Sequence, residues 1–205
     1  MIDALFGPLI SALNSLRDVE KRPAEERRRF FTDHIAPAQA RLEEIHKDYT
    51  DAFLSAIANL KKHTSLPAIV EVLRAERPKS LGKRTDVRVF LNKLFDERFQ
   101  YRPIRKGALF LLFYDYVQAV EAYLNAASPV MPGETWYTHF IDTFSKLVAE
   151  GRDPFDYDHY GIAGHERDAP DAARLLLERA VNDQMPEAWA RVASVFGELK
   201  AKLLV

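Results

Sequence analysis

The densest run of apolar positions in the chain is Lys106–Ala127, KGALFLLFYDYVQAVEAYLNAA. On a helix, Tyr114, Gln118, Glu121 and Asn125 form one narrow polar strip, and apolar residues from Ala108 to Leu124 cover the rest. That apolar arc reaches roughly two-thirds of the way round, whereas a surface helix buries a stripe of roughly 100°. The pattern predicts a central buried helix with other helices laid against it. A second pattern begins at Phe31 and continues through Ile35, Ala38, Leu42, Ile45, Tyr49, Ala52 and Ala56, in alternating steps of four and three. Such a heptad seam calls for a partner helix at a shallow crossing angle, either the first helix folded back or a second copy. Pro37 lies inside the run and predicts a kink in one long helix that ends near residue 63.

The remaining elements follow from caps and breakers. Leu5, Leu9, Ala12, Leu13, Leu16 and Val19 share one face of a first helix over 2–19. Pro67 opens a short helix that Pro78 closes, and residues 77–86 read as a basic loop with Thr85 or Asp86 capping the next helix. Further helices are expected over 134–150, from 168 to 181, and from Met185-Pro186 to the end. No strand-like alternation and no repeat of 20–50 residues is present. The fold class is therefore all-α: a bundle of about seven or eight helices with one long, Pro-kinked heptad helix and a buried central helix. The expected organisation is a single domain, 1–205, in which an arm over 1–63 packs on a core over 64–205.

Asp115 stands out on the central helix, since Leu111, Ala119, Ala122 and Ala126 are its helical neighbours. Small neighbours admit a close backbone, so a covered carboxylate is expected, paired structurally or raised in pKa as an acid or base.

Composition narrows the classes. Apolar residues make up 47% and charged residues 29%, as in an ordinary soluble globule. There is no cysteine, which excludes disulfides, thiolate metal sites and cysteine nucleophiles. The central helix is too polar in its second half to span a membrane, and Asp3 replaces the basic start of a signal peptide, so a cytoplasmic protein is expected. Formal net charge is −1, but residues 74–106 hold 11 basic groups against 4 acidic ones, and 107–205 hold 8 against 15.

Four constellations could carry chemistry. Arg41, His46 and Tyr49 set an R-x4-H pair on the heptad helix. The spacing resembles the R-x4–6-H pair of helical HEPN-type ribonucleases, in which the His would move protons and the Arg would stabilise phosphate charge across a dimer. Equivalent spacings recur at Arg29…His34 and Arg152…His159, so the pattern is common in this chain. Arg74, Arg77, Lys79, Lys83, Arg84 and Arg88 form a basic island suited to a polyanion or to a protein partner. The acidic loop holding Asp153, Asp156, Asp158, Glu166 and Asp168 imitates the opening of a calcium loop. It has Arg167 where the chelating glutamate belongs, and its acids could instead face the basic island. His139 and Asp142 stand three apart on a helix.

No phosphate cradle, nucleophile elbow or zinc-protease motif accompanies these groups. The leading expectation is a non-enzymatic helical interaction or scaffold protein that self-associates or docks into a larger assembly, without metal or cofactor. The alternatives are a nucleic-acid-binding module using the basic region, and a metal-independent ribonuclease using Arg41 and His46.

Overall fold

The computed structural model describes residues 23–62, 64–94, 108–125, 135–150 and 169–205. Those residues are almost all helical, with no strand among them. The elements are α1 (Ala24–Phe30), a π-helical turn (Phe31–Ile35), α2 (Ala36–Lys61), α3 (Leu66–Leu94), α4 (Ala108–Leu124), α5 (Trp136–Glu150), α6 (Ala169–Arg179), a second π-helical turn (Ala180–Gln184) and α7 (Met185–Leu204). Six of these α-helices reach eight residues or more, so the described residues do not confirm a count of seven or eight. The first helix over 2–19 and the acidic loop lie outside the described residues. No helix among the described residues is long and apolar enough to cross a membrane.

Prolines are where the elements depart most from the sequence pattern. Pro78 does not close a short helix; it lies inside α3, which runs on to Leu94. The expected basic loop over 77–86 is therefore helical. Thr85 is no cap either, because its hydroxyl donates to the Leu81 carbonyl one turn back at 2.8 Å. The last α-helix does begin at Met185-Pro186, although a π-helical turn joins it to α6 so that the helical path is unbroken from Ala169 to Leu204. The path from Ala24 to Lys61 is unbroken too, and a kink at Pro37 is not confirmed. Each of these last two prolines follows a five-residue π-helical turn at the same offset, Ile35 to Pro37 and Gln184 to Pro186. A proline lacks the N–H of the α-helical ladder, and its ring clashes with the carbonyl four residues back. A wider turn placed before it relieves that clash without ending the helix.

The chain forms two compact units. The first comprises Met1–His46, Leu81–Leu124 and Ala188–Val205, the second Lys47–Ser80 and Asn125–Glu187. In the first, α4 supplies much of the core: Leu109, Phe113, Tyr116, Val117, Ala119, Val120, Tyr123 and Leu124 are all buried. Leu42 and Ile45 of the heptad seam are buried in the same unit, as are Val192, Leu199 and Leu203 of α7. The open side of α4 is rotated from the expected polar strip. Leu111, Tyr114, Asp115 and Ala122 are exposed, while Gln118, Glu121 and Asn125 are half-buried. Asp115 is therefore not covered; Ala122 is exposed beside it, whereas Ala119 is buried.

The second unit is built on rings. Trp136, Tyr137, Phe140 and Phe144 of α5 recur at helical spacing and are all buried. Tyr137 and Phe140 meet Phe53 of α2 with ring centres 5.4 and 5.0 Å apart, both near edge-to-face. Such pairs add about 0.5–1.5 kcal/mol each beyond the area they bury. Tyr49 packs on Tyr137 at 5.3 Å. Thr135 caps α5 by accepting the Thr138 N–H at 3.2 Å. Lys61 of α2 reaches Glu178 of α6 at 2.9 Å. Burial raises the Glu178 carboxyl, but its bonds to Lys61 and Arg174 outweigh this and hold it below its ordinary value.

Two substitutions separate seam from surface. Leu42 is 1% exposed, so Leu42→Ala should destabilise by about 3 kcal/mol through the lost burial and the residual cavity. Asp115→Ala should change stability by less than about 0.5 kcal/mol, as for a surface position. Urea denaturation of both variants checks the pair, and equal effects would contradict the burial pattern.

Candidate functional site

Apart from Arg84 of α3, polar groups that the first unit takes inside lie on two facing helices. On α2, Gln39 is 4% exposed and His46 is half-buried; on α4, Tyr116 and Tyr123 are fully covered. Tyr116 donates its hydroxyl proton to Gln39 Oε1 at 2.9 Å. One heptad further along, His46 Nδ1 lies 2.7 Å from Tyr123 Oη. Both contacts join residues 77 positions apart. A constant offset means that α2 and α4 run in the same direction, with matching seven-residue steps. The heptad seam thus finds a partner in the central helix, a pairing that the sequence pattern did not single out.

Around this seam each group has a stated environment. Gln39 Nε2 also donates to Glu43 Oε1 at 3.2 Å, so both ends of the amide are used. Burial pushes the Tyr116 hydroxyl well above the ordinary tyrosine value, and the negative charge of Glu43 adds to this. The phenol therefore stays protonated and remains a donor. Burial alone depresses His46 below the ordinary imidazole value. The ring stacks on the Trp189 indole of α7, with centroids 4.3 Å apart and planes 8° from parallel. Tyr123 meets the same indole edge-on at 5.4 Å. Three helices of this unit therefore meet at one imidazole. The neutral ring accepts the Tyr123 hydroxyl proton at Nδ1 in one tautomer and donates to that oxygen in the other.

The candidates read from the sequence fall as follows. Arg41 is committed to Glu44 at 2.8 Å on the helix surface, whereas His46 is turned inward to Tyr123 and Trp189. Tyr49 is fully buried in the second unit and packs on rings there. The basic island sits on α3 rather than in a loop, and its members belong to both units. In the second unit Arg74 pairs with Glu71 and bonds Ser145, and Lys79 pairs with Glu76. Arg77 is exposed there. In the first, Lys83 reaches Glu44 at 3.3 Å and Arg84 is buried. Arg41, followed by Lys83, holds the Glu44 carboxyl below its ordinary value. Of Arg88 the structure gives only its place on α3. The acidic positions Asp153, Asp156, Asp158, Glu166 and Asp168 lie outside the described residues. His139 packs edge-on against Phe140, and Asp142 is exposed. Among the described residues no group of three His, Asp or Glu side chains is placed to hold a metal.

Sequence reasoning missed Gln39, Tyr116, Tyr123 and Trp189. One signal was present: Gln39 and His46 stand seven apart, and so do Tyr116 and Tyr123, the period of the seam itself. Tyr116→Phe should cost about 1–2 kcal/mol, because it leaves Gln39 Oε1 without its buried donor. Thermal denaturation measures this, and a neutral effect would show that the bond adds nothing. Comparison of the chain with protein-family models, with curated proteins and with solved structures found no match in any of the three.

Proposed function

We propose that the protein is a helical interaction module, that the open side of α4 is its contact surface, and that a second copy is the partner it meets there. The observation that supports this is the exposure of Leu111 at 48% and Tyr114 at 44%, three residues apart on the most apolar of the long helices among the described residues. Ala108 and Ala122 are exposed along the same helix, and Asp115 is the charge among them. An apolar side rimmed by polar groups is the usual mark of a protein contact, and tyrosine is enriched at such contacts. A formal net charge of −1 leaves little repulsion between copies. A two-fold contact would use the same side of α4 on both chains. The ion pairs that engage Arg74, Lys79 and Lys83 lend no support to a polyanion-binding role.

Light scattering across a wide concentration range tests the proposal. The wild-type mass should rise toward that of a dimer. Leu111→Lys should weaken association at least about tenfold, equivalent to ~1.4 kcal/mol, with an unchanged helical spectrum. A monomer mass at every concentration, or a dimer indifferent to Leu111→Lys, would overturn it.

A further inference from the structure

The open side of α4 carries charge of one sign only. Residues 108–125 include Asp115 and Glu121 and no Lys, Arg or His. Leu111 and Leu112 stand one turn before Asp115, and Gln118 and Ala119 one turn after it, so its own helix supplies no cation. Asp115 is exposed, and among the described residues no hydrogen bond or ion pair engages it. Around the helix, Leu111, Asp115 and Ala122 lie within about 40° of one another, so the carboxylate stands inside the apolar strip and not at its rim. The formal net charge of −1 describes the whole chain, whereas this side of α4 is locally acidic.

A two-fold contact on this side brings Asp115 to its own copy. Two parallel helices related by a two-fold axis set every residue beside its equivalent. In an antiparallel pair the residue on the axis meets its equivalent, and the others are displaced to either side. Exposed Ala108 and Ala122 bound the open side, and Asp115 stands midway between them in the sequence. An axis there overlaps the whole open side of both chains, while an axis nearer either end leaves part of it uncovered. In the antiparallel pair, Leu111 of one copy then falls beside Gln118 and Ala122 of the other, where the alanine leaves room for it. Both arrangements join the apolar groups and set two like charges against each other. Glu121 is half-buried and lies about 120° round the helix from Asp115, so the opposed charge is that of Asp115.

We propose that the two-fold axis of the α4 contact passes at Asp115, so that the opposed carboxylates keep self-association weak at low salt and salt strengthens it by screening them. This inference rests on the α4 contact proposed above and adds its register and the control of its strength. The Debye length is roughly 30 Å at 0.01 M salt and roughly 8 Å at 0.15 M. Two facing carboxylates therefore repel at nearly full strength in dilute buffer and less so near physiological salt.

Sedimentation equilibrium in about 0.01 M and about 0.15 M sodium chloride reads the effect. Dimerisation of the wild type should tighten about threefold or more at the higher salt, the scale of one like-charge contact across water. Asp115→Asn should dimerise more tightly than wild type at the lower salt and lose most of the salt dependence. Opposite charges report the register. Wild type mixed with nitrogen-15-labelled Asp115→Lys should form the mixed dimer above its statistical share, as read by native mass spectrometry. Position 115 is exposed, and circular dichroism checks that both variants keep the wild-type helical content. A dimer indifferent to salt and to Asp115→Asn, or one that mixes statistically with Asp115→Lys, overturns this inference and leaves the α4 contact standing. A monomer mass for wild type and Asp115→Asn alike, at every salt and protein concentration, overturns both.

Discussion

The seven-residue register of α2 on α4 governs the first unit. Leu42 and Ile45 give the seam its apolar contact, but apolar side chains alone fix a register weakly, since a slip by one turn would bury similar area. Two hydrogen bonds a heptad apart remove that freedom. A slip would strand the Tyr116 hydroxyl, the Gln39 amide, the Tyr123 hydroxyl and a half-buried imidazole at once. Each bond contributes only about 0.5–1.5 kcal/mol net, whereas a buried polar group left unmade costs about 1–3 kcal/mol. The polar pairs therefore act mainly against the wrong alignment. A single polar residue on a coiled-coil seam fixes register by the same logic.

Long helices in this chain depend on how their prolines are absorbed. At Pro37 and Pro186 the helical path widens into a π-helical turn just before the ring. At Pro78 the α-helix continues, with Pro78 itself exposed. Helical propensity argues against all three positions, at about 3 kcal/mol for an interior proline. Buried contacts on the same helices oppose that penalty: Ile35 and Leu42 beside Pro37, Leu73 before Pro78, and Ala180, Met185 and Val192 around Pro186.

What was legible in the sequence follows from this division. Periodicity alone reveals the all-helical class, the burial of α4 and the inward positions of the heptad seam, because these depend on spacing within one helix. Which helix fills the seam depends on contacts 77 residues apart, and no local pattern encodes that. The loop expected over 77–86 failed because a breaker rule was applied where tertiary contacts override it. Asp115 was misplaced because small neighbours fit an open helix side as well as a close crossing. His46 was noticed for its distance from Arg41, yet its chemistry comes from Tyr123 and Trp189, far along the chain. Trp189 carries no signal of its own beyond an aromatic ring on an amphipathic helix.

Double-mutant cycles across the seam test the register most directly. Gln39→Leu with Tyr116→Phe, and His46→Leu with Tyr123→Phe, should each show a coupling of roughly 0.5–3 kcal/mol, as for residues in contact. The exchanged combination, Gln39→Leu with Tyr123→Phe, should be additive within roughly 0.3–0.5 kcal/mol, because those groups stand a heptad out of step. Additive matched pairs, or an exchanged pair that couples as strongly, would contradict the parallel heptad alignment of α2 and α4.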